Sequence, residues 1–459
     1  MSYSSDPRRM LVLGRMLWAD TTQPPIPDAG VVVLGGRIAA SGTREDLLTR
    51  FSGTDTDVVY AQDCVITPAF VNAHHHMYGV LSHGIPLDEA PPGFWPFLTD
   101  FWWPCVEDRL TPDLIEAAAD WACLEMVRSG VTTFYDCLEA PYAIPGALEK
   151  EGAVVERWGL RGVLSFEATE RVSLENGQLG LRENARFIDM CDQQAGLVSG
   201  MMCFHTTFTC SADFIHRAFS LAEARRARIH MHVSEGVYEP EYCLQQFGQR
   251  PLEYYDGLGV LGPTVLASQC VQVDPMEMDI LAARVVSVAH QPISNCEVGG
   301  GIAPIPEMLA RGVNVALGTD GYVNNFFEVM RASALVQRAR LLDPRAMPAS
   351  RAWSMATRSG ALALGFEDLG TLVPGNQADL LLIDISLPSP LAPHNLADQL
   401  LLWRNPCDIQ AVMCAGKWLM RDGIPLGVDV QALRERVSSA AEELWAADNA
   451  MVNREGALG

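Results

Sequence analysis

From residue 65 onward the sequence alternates short apolar, β-like runs with longer helical stretches, and it does so eight times. The runs are VITPAFVNAHHH (65–76), GVTTFYDC (130–137), GLRGVLSFEATER (159–171), GMMCFHTT (200–207), RIHMHVSEG (228–236), TVLASQCV (264–271), VVSVAHQPISN (285–295) and NVALGTDG (314–321). Between them lie stretches such as DLIEAAADWACLEMVRSG and DFIHRAFSLAEARRA, whose apolar residues recur at helical spacing. Strands joined through helices pair in parallel, because the chain must cross back before the next strand can start on the same side. Eight such units over roughly 250–300 residues fit a closed (β/α)8, TIM-like barrel better than an open sheet.

The two ends of the chain read differently. Residues 10–64 hold short strands punctuated by glycine, and short strands return after about residue 370 as ADLLLIDIS and IQAVMCAGKWLMRDG. The expected organisation is therefore a small β-sandwich built from residues 1–64 and 371–425, a barrel over 65–370, and a C-terminal helix over 426–459. Arg8 and Arg9 precede an apolar stretch, as in an export signal, but Gly14 and Arg15 interrupt it and a first strand fits better. No apolar run approaches the roughly 18 residues that cross a membrane.

The formal net charge is −23 with a pI near 4.8, and no basic stripe offsets it, which argues against a nucleic-acid partner. Twelve cysteines without CxxC spacing read as reduced thiols. A cytoplasmic protein acting on a small molecule is expected, as a homo-oligomer.

In a barrel of this kind chemistry gathers at the C-terminal ends of the strands, so polar residues there carry the information. The first run ends in three histidines. In extended backbone His74 and His76 share one face while His75 takes the other. The fifth run carries His230 and His232 on one face, followed by Glu235; the eighth ends in Asp320; the fourth and seventh end in His205 and His290. A single histidine of this kind is ordinarily a core residue. Several strand ends converging with His and Asp shift that balance, and His74, His76, His232 and Asp320 together suit one divalent first-row ion with a position left for water. Zinc is the first choice, with iron or manganese as alternatives.

The motifs PAFVNAHHH, HMHVSE, AHQPISNCEVGGGIAPIPEMLARGVNVALGTDG and GTLVPGNQADLLLID resemble the amidohydrolase superfamily over nearly the whole chain, and within it the ATZ/TRZ branch of chlorohydrolases and deaminases. The stretch LTDFWWPCVEDRLTPDLIEAAADWACLEMVRSGVTTFYD and the FEATER segment look most like the SsnA-type aminohydrolases. The resemblance implies that His74, His76, His232 and Asp320 are the metal ligands and that Glu235 shuttles protons. Two-metal relatives bridge their ions with a barrel-strand lysine. The chain has two lysines, Lys150 after a helical run and Lys417 in the terminal β unit, and neither can serve. One departure stands out. Where relatives place a strand-six histidine, this chain has Gln269, which can orient groups by hydrogen bonding but cannot take up a proton near neutrality.

The pocket is expected to involve His205, His290, Asn295, Arg171 and the aromatic segment GFWPFLTDFWW, Trp95 and Trp102 in particular. That segment is either ordinary packing against the barrel or a lid that stacks on a flat ring. Arg171 pairs either with a substrate carboxylate or in a surface salt bridge. The reaction implied is hydrolytic deamination of an amino-substituted heterocycle. The ion lowers the pKa of a bound water toward about 7, and Glu235, Asp320 and Gln269 carry or direct the catalytic steps. The alternatives are another C–N or C–Cl bond cleaved by the same site, and a barrel kept for binding alone.

Overall fold

The structure, a computed structural model, describes residues 9–455 with the exception of 54, 88 and 322. Its centre is the expected (β/α)8 barrel. Four parallel strands, Phe70–His75, Val131–Leu138, Arg161–Phe166 and Ser199–Gly200, form one arc. Five more, Met202–Cys203, Ile229–Val233, Val265–Gln269, Ser287–His290 and Val315–Leu317, form the other. The fourth barrel strand is split between the arcs at Met201, and an Ala168–Phe204 bridge joins them on that side. A parallel His75–Asp320 bridge closes the ring between the first and eighth strands.

Almost every residue of these strands is buried, because one face meets the barrel interior and the other meets the surrounding helices. Val71, Tyr135, Cys137, Val163, Met201, Cys203, Leu266, Ala289 and Ala316 pack in the smaller cluster contributed by the barrel strands. The larger cluster lies between strands and helices, with Trp353, Phe70, Phe326 and Phe327 among its biggest side chains.

Both chain ends contribute to a single eight-stranded sheet, in which Thr56–Pro68 pairs in parallel with Arg9–Leu17 and antiparallel with Leu380–Asp384. The sheet curls back on itself. Ile38 N–H donates to the Asn376 carbonyl at 2.8 Å and Ala378 N–H to that of Gly36 at 2.9 Å, giving the sandwich-like unit its own apolar core. Thr56–Pro68 runs through the expected junction at 64/65 and hands the chain directly to the first barrel strand. The C-terminal helix, Val430–Glu455, reaches the segment after the histidine run, where the Trp445 indole donates to the Leu81 carbonyl at 2.8 Å. No helix among the described residues is long and apolar enough to cross a membrane.

One buried ion pair fastens the outer sheet to the barrel. Asp379 accepts from Arg161 at 2.6 Å, from the Thr132 hydroxyl at 2.8 Å and from Ala415 N–H at 2.8 Å. Removing one member of such a pair strands the other charge in a dry interior. Asp379→Ala is expected to lower stability in urea unfolding by about 3–5 kcal/mol. Adding Arg161→Met should recover part of the loss, whereas a single variant as stable as the parent would show that the contact holds nothing together.

Candidate metal centre and active site

Barrel closure builds the site. Thr319 and Asp320 N–H both donate to the His74 carbonyl, at 3.0 and 3.1 Å, so the eighth strand ends beside the first. The approach needs a glycine: a Cβ on Gly318 would lie 2.8 Å from the His74 carbonyl oxygen and from its Cβ. His74, His76 and His232 then present nitrogens that all lie within 4.8 Å of one another, and all three rings are buried. Asp320 joins them, with Oδ1 3.6 Å from His76 Nε2. His75 points the other way, Nδ1 lying 2.7 Å from the Asp320 carbonyl, as the alternation of an extended strand requires.

This donor set fits a first-row divalent ion. Both ring nitrogens of His74 are buried without a hydrogen-bond partner, a costly arrangement unless another group takes up a lone pair. His76 Nδ1 contacts the Cys137 carbonyl at 2.6 Å, which leaves Nε2 for the ion. Burial lowers the pKa of His74 and of His76, keeping both rings neutral as ligands must be. Burial also opposes charge on His232, but the adjacent Glu167 carboxylate overrides it and raises that ring to about 10, so an ion taken up there would displace a proton. His230 stacks on His74 at 5.0 Å, and its Nδ1 lies 3.3 Å from Cys203 Sγ.

A tight cavity of about 40 Å³ opens on the cluster. Its walls are His76, His232, Asp320, Glu235, His205, Ser294, Glu107 and Glu167, with Phe94, Phe97, Leu98, Trp102, Trp103 and Val298. Burial, reinforced by Asp320, raises the Glu235 pKa well above the ordinary carboxyl value, so the group holds a proton where exposed glutamates have lost theirs. His205 keeps Nδ1 on the Thr209 hydroxyl at 2.9 Å and is held neutral by burial, its pKa lowered to about 3. Ser234, Gln269, Cys270 and Asp320, at the ends of strands five, six and eight, all have positive φ (51°, 76°, 48° and 61°). Left-handed backbone is uncommon for such residues and clusters where side chains must be aimed.

Gln269 does not line the cavity. Its amide donates to Asp320 Oδ2 at 2.7 Å, and its carbonyl accepts from Asn295. Ser294 adds a second donor to the same Asp320 oxygen at 3.0 Å. The strand-six glutamine thus holds Asp320 through its amide, and Asn295 holds Gln269 in turn.

Packing sets three further expected residues apart from the cavity wall. Arg171 is not available to a substrate carboxylate: it is paired with Glu139, with Asp108 at 2.8 Å and with Glu107 at 3.3 Å, beneath the Trp103 ring. It is also not the surface salt bridge of the other reading, since its side chain is only 8% exposed. His290 is buried outside the cavity wall, its pKa pushed down to about 3 by burial. Trp95 stacks on Tyr238 at 4.0 Å, so Trp102 is the one of the two expected tryptophans that faces the cavity.

The sequence reading passed over Glu107 and Glu167. Glu107 follows the aromatic segment, where no periodicity marks it. Glu167 carried a usable signal, being a carboxylate at the end of the third run, where polar residues are informative.

The chain matches the amidohydrolase family over residues 65–419. It is 35% identical over 439 residues to the 5'-deoxyadenosine deaminase of Methanothermobacter thermautotrophicus, covering 92% of this chain and 98% of that protein. It is 34% identical over 442 residues to the 5-methylthioadenosine/S-adenosylhomocysteine deaminase of Syntrophobacter fumaroxidans, covering 95% and 98%. Among solved structures, a zinc-bound adenosine deaminase from Xanthomonas campestris superimposes with a TM-score of 0.86 at 25% identity, covering 96% of this chain and 99% of that one. With the match to the family spanning the barrel and the histidine cluster at its mouth, this chain belongs to the amidohydrolase family.

Proposed function

We propose that the chain is a mononuclear metal-dependent aminohydrolase that releases ammonia from the aminopurine of an adenosine-type nucleoside. The observation that carries this reading is the cluster of His74, His76 and His232, with Asp320 beside it, at a cavity that Glu235 also lines. The deaminase relatives support the substrate class, and the zinc-bound neighbour supports zinc as the ion.

His74, His76, His232 and Asp320 would hold the ion. When bound, such an ion acidifies water and makes hydroxide available near neutral pH. Asp320, held by Gln269 and Ser294, takes the proton of the attacking water. Glu235 gives its proton to the ring nitrogen beside the attacked carbon, so that negative charge does not build up there. The proton held by Asp320 passes to the amino group, which departs as ammonia, and the hydroxyl left on that carbon gives its proton back to Glu235 as it becomes the carbonyl. Phe94, Phe97, Trp102 and Trp103 supply flat apolar walls for a fused ring and exclude water. Phe94, Phe97, Leu98, Trp102 and Trp103 of the aromatic segment all line the cavity, which supports the reading of that segment as a lid. We further propose a cytoplasmic homo-oligomer. All twelve cysteines are free, which supports a reducing compartment.

The direct test is ammonia release from 5'-deoxyadenosine, 5-methylthioadenosine, S-adenosylhomocysteine and adenosine, with amino-triazines as the contrast. Turnover of at least one nucleoside is expected. Release only from triazines would move the assignment to a different leaving-group chemistry, and no hydrolysis by metal-replete protein would leave a binding barrel. Within the same assay Glu235→Gln should keep metal and fold but lose about 10²–10⁴-fold in kcat. Because the Glu235 pKa is raised and its protonated form is the one required, kcat/KM should fall as pH climbs through that pKa. The alkaline limb should disappear in the glutamine variant. Gln269→Ala should leave metal content unchanged and cut kcat/KM by about 10–100-fold, the usual cost of losing a partner behind a metal ligand. A parental rate would mean that Ser294 holds Asp320 unaided.

A further inference from the structure

Each ligand other than His74 has a defined partner behind it. His76 contacts the Cys137 carbonyl, and Asp320 accepts from Gln269 and Ser294. For His232 the neighbour is Glu167, which nothing in the resemblance or in the proposed chemistry assigns. Glu167 Oε1 lies 2.8 Å from His232 Nδ1. Both atoms are buried and neither has a hydrogen bond to any group, so the 2.8 Å ion-pair approach, with His205 Nε2 at 3.9 Å from the same oxygen, is the polar contact the structure gives them. Glu167 is 2% exposed and His232 5%.

We propose that Glu167 is the positioning carboxylate of the metal centre, fixing the tautomer and the aim of His232 so that Nε2 faces the ion. The inference rests on the metal-site reading above. An imidazole with a proton on Nδ1 directed at a carboxylate carries its lone pair on Nε2, the form that binds a metal. The carboxylate also makes that lone pair more basic.

The backbone around Glu167 is built to hold such a group still. Glu167 N–H donates to the Leu138 carbonyl at 2.8 Å. The preceding residue, Phe166, is clasped at both polar groups by the Asn184 amide, at 2.7 Å each, and the following one, Ala168, forms the bridge to Phe204 that joins the two arcs of the barrel. The same carboxylate lies 3.9 Å from His205 Nε2 and lines the cavity, so it ties a metal ligand to the substrate wall. Glu167, His205 and His232 also have donor atoms within 4.8 Å of one another, which raises a second ion as the competing use of the same residues. That use would require His232 to bridge two ions through both nitrogens.

The test is zinc affinity of the full chain, measured by titrating chelator-stripped protein against a chromophoric competitor, with bound metal counted per chain. Glu167→Ala should bind zinc about 10–100-fold more weakly than the parent. Glu167→Gln, whose amide carbonyl can still accept from Nδ1, should fall in between. With cobalt in place of zinc, the visible absorption of Glu167→Ala should shift while the melting temperature of the apoprotein stays near that of the parent, a pattern that loss of packing alone does not produce. Zinc affinities of both variants within twofold of the parent would overturn the assignment, and so would loss of a second equivalent of metal. His232→Ala separates the two layers of the argument. If it loses metal while the Glu167 variants do not, only the role of Glu167 fails; if the parent chain binds no ion, the metal reading fails with it.

Discussion

The structure depends on the closure of its first strand against its eighth. Two backbone amides, Thr319 and Asp320, share the His74 carbonyl, and Gly318 leaves room for the approach. The hydrogen bonds that complete the barrel therefore also bring a carboxylate some 245 residues away in sequence (320 − 75 at the bridge) to the pair His74 and His76. Closure and ligand assembly are one event, and a barrel that failed to close would have no site. The positive φ values at Ser234, Gln269 and Asp320 are the local cost, accepted at strand ends where side chains must turn into the mouth.

Among the described residues, no arginine or lysine lines the cavity at the cluster. Glu107, Glu167, Glu235 and Asp320 line the cavity, while Arg171 is committed to Glu107, Asp108 and Glu139. A divalent ion is the natural counter-charge for such a site, and neutral imidazoles are what it requires. Burial, reinforced by Asp320, raises the Glu235 pKa well above the ordinary carboxyl value, which suits that group to hold a proton.

The sequence made the barrel legible because each βα unit is a local pattern: apolar runs, helical spacing and turn residues recur within a few dozen positions. The candidate ligands were legible for the same reason, since strand ends are where such a barrel does chemistry and His74, His76, His232 and Asp320 fall there. What remained hidden was pairing across long sequence separations. Nothing near Arg171 announces Glu107 and Glu139, and nothing near Gln269 announces that its amide is spent on Asp320 and Asn295. Trp95 and Trp102 are equivalent in sequence, and only the stacking on Tyr238 separates them. His290 sits at a strand end, like His205, yet the geometry of its short strand leaves it behind the wall.

The barrel holds a second buried donor group, Cys137, Cys203 and His230, next to the histidine cluster, so the identity of the ligands is the claim most worth measuring. X-ray absorption at the zinc edge of the loaded protein decides it. The account predicts a shell of nitrogen and oxygen at about 2.0–2.2 Å, with imidazole scattering beyond it and no sulfur. A sulfur shell at about 2.3 Å would place the ion on the cysteines and contradict the account.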